Sequence, residues 1–146
     1  MKIVPAIRAD YPALLELWEA SVRATHHFLP EAEIQALRPL ILAHYFDAVV
    51  LRCARTEEGT IAGFSGVHDG KLEMLFVAPE VRGCGVGRQL VEHAISQGDA
   101  TQVDVNEQNE QAVGFYLKMG FIVTGRSPLD GQGRPYPLLH MALASF

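Results

Sequence analysis

KLEMLFVAPEVRGCGVGRQLVEHAISQG, residues 71–98, runs an apolar strand through a glycine turn into an amphipathic helix. Met74-Leu75-Phe76-Val77 does not alternate, which fits a central strand buried on both faces or one broken by a bulge, and Pro79 stops it. In Arg82-Gly83-Cys84-Gly85-Val86-Gly87-Arg88 the three alternating glycines leave backbone N–H groups unobstructed. The helix that follows carries Val86, Leu90, Val91, Ala94 and Ile95 on one side. Its first turn offers donors with no intrahelical partner and the positive end of the helix dipole. Arg82 and Arg88 add guanidinium forks that match phosphate oxygens. Together these features predict a cradle for a pyrophosphate. Spacing alone leaves a second reading open, a glycine-rich turn flanked by two solvated arginines. The turn lacks the lysine and hydroxyl of GxxxxGK[ST], and neither Gly83-x-Gly85 nor Gly85-x-Gly87 completes GxGxxG, since Arg88 and Leu90 stand in the third place.

On the N-terminal side, residues 2–8 read as a strand that Pro5 pushes to a sheet edge. Asp10 reads as an N-cap with Pro12 in the first turn of a helix bearing Leu14, Leu15, Leu17, Trp18 and Val22. A second helical region follows Pro30, and Pro39 inside it predicts a kink or two short helices. Residues 48–56 and 60–67 read as strands around the turn EEG, and His68-Asp69-Gly70 is the next turn. On the C-terminal side, Thr101, Val103 and Val105 alternate with polar residues as a strand. Residues 109–119 return to helical period, and strands at 121–126 and 138–144 flank the polar loop SPLDGQGRPYP. The order βααβββαβαββ predicts an α/β or α+β chain around a mixed sheet.

The 146 residues suit one domain, 1–146. With 49% hydrophobic and 20% charged residues, the chain matches a globular domain and not a disordered one. The net charge is −5 and both halves are acidic, which argues against a nucleic-acid partner. No apolar run is long enough to span a membrane and no signal peptide is evident, so a soluble cytoplasmic protein is expected, with no membrane partner. Cys53 and Cys84 form no disulfide framework; Cys53 reads as core and Cys84 as a small residue tolerated in the turn. His44, His68, His93 and His140 show no ligand spacing and no HExxH occurs, so no metal site is expected. Gly63-Phe64-Ser65-Gly66 falls one residue short of the GxSxG elbow of hydrolases.

Arg82-x-x-Gly85-x-Gly87 matches the (Q/R)-x-x-G-x-(G/A) pattern of the GNAT superfamily of N-acetyltransferases, which binds acetyl-CoA. VNEQNEQAVGFYLKMGF, residues 105–121, resembles a second landmark of that superfamily, an asparagine ending a strand ahead of a tyrosine-bearing helix. ATHHFL (24–29) and GRPYPLL (133–139) resemble a bacterial branch of the same group. The resemblance covers nearly the whole chain. It implies a mixed, mostly antiparallel central sheet with helices on both faces, whose fourth and fifth strands splay apart. It implies acetyl-CoA (coenzyme A) as cofactor and direct acetyl transfer to a primary amine. The pantetheine arm would pair with the fourth strand at Leu75, Phe76 and Val77. The pyrophosphate would meet Gly83, Cys84, Gly85, Val86, Gly87 and Arg88, with Arg82 beside them. Asn106, Asn109, Ala112, Phe115 and Lys118 would line the other side, Lys118 toward the adenosine phosphate. Tyr116 matches the family's general acid: a thiol titrates near 8.5 and a phenol near 10, so the phenol can share its proton with a leaving thiolate.

The amine must also lose a proton. Glu73, next to the splay, is the candidate base, with His26 and His27 as alternatives in the loop between the first two helices. The oxyanion needs a donor, for which a bulge near Leu75 or Phe76 would free a backbone N–H. Residues 24–31 and 127–138 would build the acceptor side, with His26, His27, Phe28 and Tyr136 as substrate contacts. Glu31, Glu33 and Asp130 there would favour a cationic small-molecule or peptide amine. The alternative is a non-catalytic module of the same fold that binds coenzyme A.

Overall fold

The computed structural model describes residues 1–27 and 29–144. The chain forms β1 (Lys2–Pro5), α1 (Tyr11–Thr25), α2 (Glu31–Leu40), β2 (Val50–Arg55), β3 (Ile61–His68), β4 (Lys71–Val77), α3 (Val86–Gly98), β5 (Gln102–Asn106), α4 (Glu110–Lys118), β6 (Phe121–Ser127) and β7 (Leu138–Leu143). This is the order expected from the sequence. The strands make one sheet in the order β1-β2-β3-β4-β5-β7-β6. Every neighbouring pair is antiparallel except β4 and β5.

The parallel pair is short. β4 and β5 meet only at Lys71↔Gln102 and Leu72↔Val103. From Asp104 onward β5 pairs with β7, so the facing edge of β4 from Glu73 to Val77 has no partner strand. Lys71 and His140 both hold the carboxylate of Asp104, and His140 Nε2 lies 2.7 Å from Ser127 Oγ. This polar chain ties β4, β5, β7 and β6 together at the point where the splay opens.

Two local features differ from the sequence reading. The bulge falls at Glu73, not at Leu75 or Phe76. The β3–β4 register jumps from Gly66↔Met74 to Val67↔Leu72, leaving Glu73 as the extra residue. The jump explains the broken alternation. Leu72 and Leu75 pack toward Val91 and Val103, while Met74 and Phe76 pack toward Leu14 and Trp18. β1 also ends at Pro5, because the Ile7 N–H donates to the Asp10 carboxylate (2.9 Å) and a 3-10 turn at Arg8–Asp10 takes over. Pro39 lies inside α2, and a π-turn at Ile41–Tyr45 follows. A proline without an N–H loosens the ladder at this place.

Helices cover both faces. On one, α1, the π-turn and the 3-10 turn after it (Phe46–Ala48) bury Leu14, Trp18, Ile41 and Phe46 against Cys53 and Phe64, with Phe46 edge-on to Phe64 at 5.9 Å. On the other, Val86 and Leu90 of α3 pack on Ala54 and Ala62, and Val91 joins Val105, Tyr116, Phe121 and Met141 under α4. β3 and β4 are joined by Asp69 and Gly70 at φ +50° and +79°, the left-handed pair of a two-residue hairpin. Among the described residues no helix is long and apolar enough to cross a membrane.

Candidate functional site

The glycine turn takes the shape its composition predicts. Gly83 and Gly85 adopt φ +82° and +85°, with Gly85 as N-cap of α3. A Cβ on either would meet nothing within 4 Å, so backbone conformation and not crowding calls for glycine, and the space before the turn is open. No side chain caps α3, and its ladder starts with the Gln89 N–H on the Gly85 carbonyl (3.0 Å). The N–H groups of this first turn therefore point at the opening. At Gly87 a Cβ would stand 3.6 Å from both Val77 and Phe115, so this glycine forms the floor.

A cleft of about 380 Å³ joins this turn to the unpaired edge of β4. Leu75, Phe76 and Val77 line one wall; Asn109, Ala112 and Phe115 of α4 line the other. Arg82, Gly83, Gly85, Val86, Gly87 and Arg88 line it at the turn, and Ser21 and Thr25 of α1 with His26 just after it complete the lining. Arg82 is held by Gln111, and Arg88 pairs with Glu92 one turn along α3 (2.8 Å). Asn109 caps α4, its Oδ1 accepting the Ala112 N–H (3.1 Å).

A second cleft of about 310 Å³ opens on the other side of His26. Leu29, Leu37 and Leu138 give it apolar walls; Asn106, Tyr136 and the loop from Asp130 to Arg134 complete it. The loop is tied down by Arg134 on Glu33 and by Gln132 on Tyr45. Among the described residues, His26 is the one that lines both clefts.

The expected acidic mouth is largely neutralised. Glu31 is gripped by both terminal nitrogens of Arg23 (2.6 and 2.8 Å) and Glu33 by Arg134. Asp130 uses Oδ1 on the N–H groups of its own loop at Gln132 and Arg134 (2.9 Å each).

The other expected residues separate. Asn106 ends β5 facing the second cleft, with Tyr136, and not the first. Lys118 lies in a groove of about 470 Å³ between α3 and α4, which shares Arg88 and Phe115 with the first cleft. Cys84, Glu73 and His27 are exposed and line no cleft described here. Phe28 lies outside the described residues. Tyr116 is 6% exposed, its ring edge-on to Phe115 and Phe121 at 5.1 and 5.6 Å. It sits beneath the cleft in the core, and burial pushes its phenol well above the usual tyrosine range, which makes it a weaker acid than a free phenol. Ser21, Thr25 and Gln111 were not singled out in the sequence. Ser21 had a signal, a polar residue between Trp18 and Val22 on the apolar face of α1.

His26 is held through its backbone and both ring nitrogens. It caps α1, its N–H on the Val22 carbonyl (2.7 Å). Its Nδ1 is 2.7 Å from Thr25 Oγ1, and its Nε2 is 3.5 Å from Asn109 Nδ2. Burial, helped by the charge of neighbouring His27, lowers its proton affinity below the ordinary histidine value.

The family model for the acetyltransferase (GNAT) domain matches residues 24–143. The chain is 47% identical over 129 residues to the peptidyl-lysine N-acetyltransferase YjaB of Escherichia coli (strain K12), covering 88% of this chain and 87% of that protein. The solution structure of apo-form YjaB from Escherichia coli superposes with a TM-score of 0.90 at 43% identity, covering 99% of this chain and 98% of that one. The PaiA N-acetyltransferase of Thermoplasma acidophilum, solved in complex with coenzyme A, shares the fold at a TM-score of 0.72 and 19% identity, covering 99% of this chain and 100% of that one. Two landmarks in order, a sheet parted between β4 and β5, and a family match over most of the sequence lead to one conclusion: this chain belongs to the GNAT acetyltransferase family.

Proposed function

We propose that the protein transfers the acetyl group of acetyl-CoA to a primary amine, with a lysine side chain of a protein or peptide as the acceptor and the cytoplasm as its place. The observation that carries this is the continuity of the first cleft: an unpartnered strand edge runs into an uncapped helix mouth. An edge with open ladder groups suits an arm that carries amides, and bare N–H groups with Arg82 and Arg88 suit a diphosphate. Bound there, acetyl-CoA supplies an acyl group activated as a thioester.

The chain's own residues have separable tasks in this reading. Leu75 and Val77 offer backbone groups to the arm. Asn109, Ala112 and Phe115 hold its other flank. The apolar walls of the second cleft, Leu29, Leu37 and Leu138, receive the aliphatic stem of the acceptor and keep water from it. Tyr116, next to the cleft-lining Phe115, gives its proton toward the departing sulfur. The peptidyl-lysine activity named for the Escherichia coli relative supports the choice of acceptor. The burial of Tyr116 outside the cleft favours a second reading, a module that binds the coenzyme without transfer.

Labelled acetyl-CoA offered with lysine peptides, free amino acids and small amines separates the two. Transfer to lysine peptides, reduced about 10²–10⁴-fold by Tyr116→Phe, is expected. Tight coenzyme binding with no acetylated product from any amine would establish the module instead.

A further inference from the structure

Three chemistry-bearing side chains on β5, β7 and β6 stand in line, apart from the coenzyme cleft. His140 Nε2 is 2.7 Å from Ser127 Oγ, and His140 Nδ1 is 2.7 Å from Asp104 Oδ1. The other carboxylate oxygen of Asp104 pairs with Lys71. Burial of Asp104 is outweighed by hydrogen bonds from Lys71 and His140, which keep the carboxyl below its usual range and ionised at neutral pH. An ionised carboxylate only accepts, so in the neutral ring the hydrogen lies on Nδ1. Nε2 then carries the lone pair, and the Ser127 hydroxyl fills it by donating its hydrogen. Hydroxyl, imidazole and carboxylate in this order, each within hydrogen-bond reach of the next, form the arrangement that turns a serine into a nucleophile. Strand register builds it. Asp104 faces His140 across β5 and β7, and Ser127 of β6 faces Leu138, two residues before His140 on the same face. His140 keeps 38% of its side chain exposed and Ser127 is half-buried, so the pair is not sealed in the core. Leu138, and Asn106 two residues from Asp104, share this face and line the second cleft, which the three side chains therefore border.

We propose that Ser127 is a nucleophile that takes an acetyl group from an activated ester or thioester, with His140 as its base and Asp104 as the residue that positions the ring. This hydrolytic activity is separate from amine acetylation and does not rest on it. The Oγ–H bond breaks and its proton goes to His140 Nε2, while Oγ forms the bond to the acetyl carbon. The bond from that carbon to the leaving oxygen or sulfur breaks, and its electron pair departs with the leaving group, which takes the proton from His140. Water then attacks the serine ester and gives a proton to Nε2. That proton returns to Oγ as acetic acid leaves. The sum is ester or thioester plus water giving acetic acid plus the free hydroxyl compound or thiol.

The probes are p-nitrophenyl acetate and, in a separate arm, acetyl-CoA with no amine present. Peptide mass mapping of acid-quenched wild type should find acetyl on Ser127. Protein-dependent release of nitrophenolate should fall about 10²–10⁴-fold in Ser127→Ala and in His140→Gln. Ser127→Ala removes a single oxygen, and circular dichroism checks that both variants stay folded. In Asp104→Asn, Lys71 claims the amide oxygen, so the amide N–H turns to Nδ1 and drives the ring hydrogen to Nε2, where it opposes Ser127. Nitrogen-15 NMR of His140 should show hydrogen on Nδ1 in the wild type and on Nε2 in Asp104→Asn, with release reduced in step. Acetyl on Ser127 from both probes makes the coenzyme a source; acetyl from the small ester alone makes free esters the substrate. Acetyl on lysines and tyrosines with none on Ser127 and undiminished release by Ser127→Ala overturns the proposal. So does equal acetylation of Ser127 in wild type and folded His140→Gln, or hydrogen on Nε2 in the wild type.

Discussion

Gly85→Ala separates what the turn does for folding from what it does for the coenzyme. Gly85 holds φ +85°, and a methyl there meets no atom within 4 Å, so the folded chain pays backbone strain and no clash. Left-handed backbone costs an alanine about 1–2 kcal/mol. Unfolding entropy for 146 residues is about 0.3 kcal/mol/K, so Tm should drop about 3–6 °C. Gly120 is the control. It has φ +100° and equally empty surroundings, and it lies at the end of α4, outside the three clefts described above. Gly120→Ala should lose a similar amount of stability. The two variants should part when acetyl-CoA is added. At a hundredfold excess over Kd the coenzyme stabilises the native state by about 2.7 kcal/mol. A methyl at residue 85 stands in the open space before the N–H groups and should weaken binding at least tenfold, removing about 1.4 kcal/mol of that gain. Differential scanning fluorimetry with and without acetyl-CoA reads both effects. Equal ligand-induced shifts in the two variants would refute the diphosphate cradle, whatever their Tm values without ligand.

Gly87→Ala should act in the opposite sense on stability. Its Cβ would sit at ordinary contact distance from Val77 and Phe115 in the first turn of α3, so the apo protein should gain about 0.5–1 kcal/mol while acetyl-CoA binding weakens; thermal melts and calorimetric titration check the pair of signs. Phe64→Ala removes a side chain with no exposed surface, packed between Phe46 and Phe76, and should cost about 3–5 kcal/mol in urea unfolding. Burial would raise the Asp104 carboxyl, but hydrogen bonds from Lys71 and His140 outweigh it and hold the group below the usual range. Its stabilisation is therefore complete above the unfolded value near 4 and is lost as pH falls through the lower folded value. Asp104→Asn should be about 1–2 kcal/mol less stable than wild type at pH 7, and the gap should close toward pH 2 in denaturant titrations.

The fold was largely legible because its signals are local. Strand and helix periods, the glycine turn and the Asp69-Gly70 hairpin each declare themselves within a few residues. The bulge did not. Leu72 and Leu75 share a face only because Glu73 has no opposite number on β3, and that depends on register with Gly66 and Val67. Met74-Leu75-Phe76-Val77 shows that alternation fails but not where the extra residue lies. The second helix shows the same limit: Pro39 announces a disturbance, and its resolution as a π-turn depends on packing Ile41 and Phe46 under the sheet.

The site divides along the same line. Residues proposed to act through backbone, Gly83 to Arg88 and Leu75 to Val77, stand out in the sequence, since the chemistry of a bare N–H or an open strand edge is written in composition and order. Residues that act through a particular side-chain atom were harder. Glu31, Glu33 and Asp130 look like an acidic mouth in sequence, yet each carboxylate is engaged, one by Arg23, one by Arg134 more than a hundred residues on, one by its own loop. His26 is likewise held by contacts that spacing does not announce, its Nδ1 2.7 Å from Thr25 Oγ1 and its Nε2 3.5 Å from Asn109 Nδ2. The Asn109 that serves as a helix cap and the histidine it faces are 83 positions apart. Replacing the amide by aspartate would still cap α4 while turning an acceptor oxygen toward Nε2, which favours the charged imidazolium. Asn109→Asp should therefore raise the pH at which His26 takes up its proton without unfolding the helix, a shift that an NMR titration of the imidazole and helical circular dichroism together would detect. A titration that stays in place would show that Asn109 caps the helix and nothing more.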